Sequence, residues 1–139
     1  MANVPPLISG IGAQMKHLAE RQRVIAQNLA NSDTPGYKAR EVEAPDFGAL
    51  LGGVSGAPRV SRPRVQLTGG MAALGARPPR DAHVVLDRDV SETKPDGNNV
   101  TLEDQLLKMG QVQADFAAMT NLYRKQQALL KTALGKGGA

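Results

Sequence analysis

The sequence predicts a mainly α fold: two long N- and C-terminal helices pairing as a coiled coil, joined by a Gly/Pro-rich loop or minor-β middle segment. Three observations carry this. Apolar residues recur at threes and fours in both terminal thirds, and that pattern is absent for some sixty residues between them. The chain has two Phe, two Tyr and no Trp, so few large side chains exist to fill a globular core. It also holds 15 Gly and 9 Pro in 139 residues, many of them in the middle. The expected organisation is residues 1–34 as the first helix, 35–100 as a turn and an extended middle, and 101–139 as the last helix.

The first helix opens at Pro5-Pro6, where missing amide donors cost nothing, or one turn later with Ser9 as its cap. Ile8, Ile11, Met15, Leu18, Gln22, Ile25 and Leu29 then form an a/d stripe with one polar interruption. The stripe is narrow and its flanks are polar, which suits a helical partner better than the face of a globule. A hard stop follows at Asn28-Leu29-Ala30-Asn31-Ser32-Asp33-Thr34-Pro35-Gly36-Tyr37. Pro35 disfavours a helical Thr34, and the short polar side chains before it compete for backbone partners. Thr34-Pro35-Gly36-Tyr37 predicts a type II turn, with proline presetting the first central residue and glycine accepting the positive φ of the second.

Beyond the turn, Asp46-Phe47-Gly48-Ala49-Leu50-Leu51 is one short apolar cluster. Residues 48–80 contain seven Gly, four Pro and no aromatic residue. They bury too little to offset the entropy of ordering, so disorder is expected in the free chain. Val84-Val85-Leu86 is expected as a short strand pairing with Val65-Gln66-Leu67, and Asp96-Gly97 as a turn. Thr101 then reads as an N-cap, with Asp104 at the third helical position as a weakened capping box. Leu102, Leu106, Met109, Val112, Phe116, Met119, Tyr123, Gln126 and Leu130 continue the second stripe. Lys125, Lys131 and Lys136 suit the negative end of the helix dipole, and Gly135 suits its C-terminal cap.

Seventeen Lys and Arg against 13 Asp and Glu leave a formal net charge of +4. Lys38, Arg40, Arg59, Arg62 and Arg64 fall just after the turn; a solvated loop is the simpler reading, an anionic partner the other. Nucleic-acid binding would use that segment, but it has no stacking aromatics beyond Tyr37 and Phe47 and no recognition-helix pattern. A soluble coiled-coil adaptor is a further alternative. No catalytic constellation is present. His17 and His83 are far apart, no Gly-Lys-Ser/Thr phosphate loop exists, and carboxylates lack ligand spacing. No enzyme activity, cofactor or metal is therefore expected. Without cysteine there are no disulfides. No apolar run reaches membrane-spanning length, and Met1 to Pro6 has no basic n-region.

Ala30-Asn31 with Thr34-Pro35-Gly36-Tyr37, closing an N-terminal amphipathic helix, resembles the signature of the bacterial flagellar axial proteins of rod and hook. The short length, the Tyr37-Lys38-Ala39-Arg40 continuation with Asp46-Phe47, and Asp96-Gly97-Asn98-Asn99-Val100 before the last helix resemble the FlgB type of proximal rod protein. Another short rod subunit, of the FlgC type, is the near alternative. The resemblance covers roughly residues 7–50 and 95–134. It implies a structural subunit of the basal-body rod whose terminal helices line a hollow, torque-transmitting, export-conducting shaft across the periplasm. It implies export through the flagellar type III apparatus without a cleaved signal, self-assembly, and FliE, FlgC and the basal ring protein FliF as neighbours. Nucleic acid and direct membrane insertion are not expected. The stripe residues would carry assembly, Asn31, Pro35, Gly36 and Tyr37 would set how the chain leaves the inner helix, and Phe47 with Leu51 is a candidate export-gate element.

Overall fold

The computed structural model describes residues 6–45, 48, 67–77 and 83–135. Two long helices dominate it: α1, Pro6–Ala30, and α3, Leu102–Ala133. Between them lie β1, Arg40–Val42, a single helical turn α2, Gly69–Ala73, and β2, Val84–Leu86. The chain divides into two units, one of Met1–Pro45 with Val84–Ala139 and one of Asp46–His83. At 1.5 Å per residue α1 is roughly 37 Å long and α3 about 48 Å.

In the first unit α1 and α3 pack against each other. Their direction follows from two tie points. Asn28, near the end of α1, bonds Gln105, near the start of α3, and one turn and more back along α1, Gln22 lies beside Val112 and Phe116. The helices are thus antiparallel. Leu18, Ile25 and Val112 form the buried cluster, with Leu29, Met109 and Met119 packed around it. The core is short and lies toward the end where α1 stops and α3 begins.

α1 starts at Pro6, and Ser9 does not cap it: its hydroxyl donates back to the Pro6 carbonyl at 2.8 Å. The start of α3 falls where Thr101 predicts it, but the capping box does not form. Thr101 makes no side-chain cap bond, and the Asp104 carboxylate instead accepts from the Ser91 amide and hydroxyl. At the far end Gly135 adopts φ +72° and its amide donates to Thr132, a glycine-closed C-terminus as expected.

The strand Val84–Leu86 forms, but with a different partner. It pairs antiparallel with Arg40–Val42, in the register Arg40 to Leu86 and Val42 to Val84, while Val65 and Gln66 lie outside the described residues and Leu67 is in no strand. Arg40–Val42 directly follows the turn that ends α1, so its position is fixed by the fold, whereas Leu67 belongs to the other unit. That second unit contributes α2, a five-residue turn with no buried side chain, which hydropathy pattern does not announce. Gly75 closes it at φ +84°. Most of the Gly/Pro-rich middle lies outside the described residues.

Candidate functional site

The end of α1 enters a four-residue turn in which the Tyr37 amide donates to Thr34 O at 3.2 Å and Gly36 sits at φ +74°. This is the turn that Thr34-Pro35-Gly36-Tyr37 predicts. Sequence reasoning did not foresee what occupies its inner side. The segment from Lys94 to Val100 docks there, about sixty residues downstream, so the two motifs form one polar joint.

Asn98 is its centre. Its side chain is fully buried, and Nδ2 donates to Asn31 O at 2.9 Å and to Thr34 O at 2.8 Å. Its Oδ1 accepts from the Val100 amide at 2.8 Å, its own amide donates to Asp96 Oδ1, and its carbonyl accepts from Lys94 N. Asn99 works on the next stretch: its amide donates to Tyr37 O, and its Oδ1 accepts from Ala39 N at 2.6 Å. The Gly36 amide donates to Asp96 O at 3.0 Å. Gly97, at φ +86°, lies so close that a Cβ there would be 3.6 Å from the Gly36 Cα. Two lysines brace the joint in opposite directions, Lys94 Nζ to Ser32 O at 2.9 Å and Lys38 Nζ to Gly97 O at 2.6 Å. Since α1 has no basic residue in its last turn, Lys94 supplies the positive charge that its carbonyl end favours.

Asn28 ties the joint to both helices. It too is fully buried, and its carboxamide uses its full capacity of two donors and two acceptors. Nδ2 donates to Arg40 O and to Gln105 Oε1, at 2.8 and 2.9 Å, while Oδ1 accepts from Arg40 N at 3.0 Å and from the Tyr37 hydroxyl at 3.3 Å. Asp87 N bonds Ala39 O, so Arg40 and Leu86 are a non-hydrogen-bonded pair and the Arg40 backbone faces away from β2. Asn28 thus takes the place of a third strand on the open edge of β1.

Beside the joint lies an ion-pair cluster. Arg21 meets Glu41 through two bonds, at 3.0 and 3.2 Å. Lys108, buried on α3, pairs with buried Asp87 and donates to Asp89 O at 3.2 Å, with Glu41 at 3.9 Å. Hydrogen bonds from the Ser91 hydroxyl, then from Thr101 and the Ser91 amide, hold the Asp104 carboxyl below its ordinary range. Partial burial, aided by the Arg21 charge, lowers the His17 imidazole pKa against the opposing pull of Glu41 and Glu20.

The predicted stripe residues divide. Ile11, Leu18 and Ile25 are buried, Ile8, Met15 and Leu29 half-buried, and Gln22 exposed. On α3, Met109 and Met119 are half-buried, but Phe116, Tyr123 and Leu130 are exposed, and Leu102 and Leu106 are 54% and 55% exposed. The face of α3 turned to α1 begins with Gln105, Lys108 and Val112. Of the turn motif, Tyr37 and Asn31 are half-buried, and Ala30, Thr34, Pro35 and Gly36 are exposed. Phe47 and Leu51 lie outside the described residues. The roles of Asn28, Gln105 and Lys108 escaped the sequence reading because a polar residue near stripe spacing on a helix reads as solvent-facing, and that of Asn98 because it lies in the loop before α3.

Among the described residues no group of three or more His, Asp or Glu is placed to hold a metal. No described helix is long and apolar enough to cross a membrane. The geometry holds two chain segments and two helices in fixed relation.

Comparison with known proteins agrees. A family model described as "Flagella basal body rod protein" matches residues 10–38, from the first half of α1 through the turn. The chain is also 36% identical over 124 residues to the flagellar basal body rod protein FlgB of Cereibacter sphaeroides, covering 87% of this chain and 83% of that one. The chain belongs to the FlgB family. A further relative, FlgB of Escherichia coli strain K12, is 60% identical over a 25-residue stretch, 18% of each chain. Membership makes this a structural subunit of the flagellar basal body rod. The turn at the end of the matched stretch is half of a two-part joint, completed by Lys94 to Val100.

Proposed function

We propose that this chain builds the proximal part of the rod, with its terminal helices as a coiled coil lining a hollow shaft that transmits torque and conducts later export substrates. Residues 1–34 and 101–139 form the inner helices in this reading, and 35–100 form the turn and outer segment. The observation that carries it is the combination of a locked joint with an open stripe. The joint fixes how the chain leaves α1 and enters α3, yet Leu102, Leu106, Phe116, Tyr123 and Leu130 remain on the surface. Isolated exposed apolar residues are ordinary, but a run of them along one long helix marks an interaction face. A repeated, non-closing contact through such a face generates a helical tube.

On this reading the neighbours are further copies, FliE, FlgC and the ring protein FliF. The chain reaches the periplasm through the flagellar type III apparatus without a cleaved signal, and Phe47 with Leu51 is presented to the export gate. It is not a catalyst. Electron cryomicroscopy of basal bodies carrying a tagged copy tests the assignment: density at the base of the rod is expected, and a tag elsewhere in the basal body refutes it. Export of a Phe47→Ala/Leu51→Ala variant is expected to fall without loss of helix content; unchanged export removes that element.

A further inference from the structure

The chain holds one Asp-Gly step, Asp96-Gly97, and no Asn-Gly. Aspartate followed by glycine is the step at which a peptide backbone rearranges most readily. The side-chain carboxyl carbon is within five-membered-ring reach of the next amide nitrogen, and glycine has no Cβ to hinder the approach. In this protein the step lies at the inner side of the joint.

The joint pins the peptide plane between Asp96 and Gly97 on both edges. Its N–H donates to Lys94 O at 2.9 Å, and its carbonyl accepts from the Gly36 amide at 3.0 Å. The Asp96 carboxylate is also held, by the Asn98 amide at 3.0 Å, and Lys38 Nζ fixes the Gly97 carbonyl at 2.6 Å. Turning the Gly97 nitrogen onto the carboxyl carbon would break the bonds to Lys94 and Gly36 together. Asp96 is exposed and Gly97 only half-buried, so hydrogen bonding, and not exclusion of water, is what restrains the step.

We infer that Asp96 is a site of spontaneous isoaspartate formation that the closed joint suppresses, and that a chain altered there can no longer close its joint. With the joint open, the Gly97 nitrogen bonds to Asp96 Cγ, its proton passes to solvent, and a carboxyl oxygen leaves as water, giving a succinimide. Water then adds back. Attack at Cγ breaks the new bond and restores aspartate; attack at the original backbone carbonyl breaks the old peptide bond and leaves the main chain running through Cγ. The water lost equals the water gained, and nothing is oxidised or reduced. The altered backbone is one carbon longer, about 1.5 Å, between a fixed Lys94 and an Asn98 that is fully buried on two carbonyls. That insertion cannot be absorbed with both bonds kept.

The full chain is incubated at neutral pH with and without urea, and isoaspartate at residue 96 is measured by digestion and fragmentation mass spectrometry. Folded wild type should accumulate it at least about tenfold more slowly than the chain in urea. Asn98→Ala should approach the urea rate. Lys38→Met/Lys94→Met, which removes both lysine braces and leaves Asn98 in place, should speed the reaction severalfold with helix content retained. Leu18→Ala weakens the helix core away from the joint and should stay closer to wild type than Asn98→Ala does. After long incubation in urea, the fraction of wild type that refolds on dilution should fall in step with isoaspartate. Asp96→Glu, which would need a six-membered ring, should refold in full. No isoaspartate in urea, or equal rates for folded and urea-treated wild type, would overturn the inference. So would joint variants as slow as wild type, Leu18→Ala as fast as Asn98→Ala, or full refolding of isoaspartate-bearing chains.

Discussion

Replacing Asn98 by alanine removes three side-chain hydrogen bonds with unequal consequences. The two carbonyls that Nδ2 serves keep another donor each, since Asn31 O still accepts from Thr34 N and Thr34 O from Tyr37 N. Those losses cost about 1 kcal/mol each. The Val100 amide is different, because Val100 is fully buried and its N–H donates to the Asn98 Oδ1. Leaving that donor unsatisfied costs a further ~1 to 3 kcal/mol. The expected total is about 3 to 5 kcal/mol, against a whole-domain stability on the order of 5 to 15 kcal/mol. Urea unfolding followed by far-ultraviolet circular dichroism reads the change, with exposed Asp33→Ala as a control expected within about 0.5 kcal/mol of wild type. Amide exchange at Val100 and Ala39 should accelerate in step. A loss below about 1 kcal/mol for Asn98→Ala would refute the claim that the joint holds this end of the molecule together.

Gly97→Ala should cost about 1 to 2 kcal/mol in the same assay, because φ +86° strains an L side chain although the 3.6 Å approach to Gly36 is ordinary contact. Lys108→Met should cost roughly 3 to 5 kcal/mol by leaving buried Asp87 without its cation, and adding Asp87→Leu should recover much of it; a double-mutant cycle without coupling would refute the pairing. His17 has a lowered pKa in the fold, so the folded state binds protons less readily than the unfolded chain. Stability should therefore be full above the ordinary value of 6.5 and decline as pH falls below it, and His17→Gln should flatten that slope in unfolding measured from pH 7 to 5. Asp104 is depressed, so its contribution should hold above the ordinary carboxylate range and fade as pH falls through the lower folded value; Asp104→Asn should remove that acid-side loss.

Both long helices, the turn between them and the β2 segment were legible in the sequence, because each rests on local chemistry. Periodicity, a proline that blocks α, and a glycine that admits positive φ act within a few residues. The pairing partner of β2 was not legible. Arg40–Val42 is only three residues long, and what makes it a strand is the Asn28 carboxamide on one edge and Val84–Leu86 on the other, both fixed by tertiary structure. Asn98 and Asn99 beside an Asp-Gly turn read as loop for the same reason. Their partners are the Asn31, Thr34 and Tyr37 carbonyls and the Ala39 amide, about sixty residues away.

The rotation of α3 is the instructive failure. Hydropathy sets Leu102 and Leu106 at the head of the stripe, but two polar anchors decide which face turns inward. Asp104 is held by Ser91, and Gln105 bonds Asn28. With those two positions fixed, a 100° step per residue carries Lys108 and Val112 toward α1 and β2 and turns Leu106 and Leu107 outward. For an isolated globule this exchange is unfavourable, since it buries an amide and an ammonium while leaving leucines in water. The buried groups are bonded, so the cost is limited, and the exposed leucines become surface available to another subunit. In a subunit of a polymer, the polar joint can therefore set the geometry of one copy while the apolar side chains are left to join copies together.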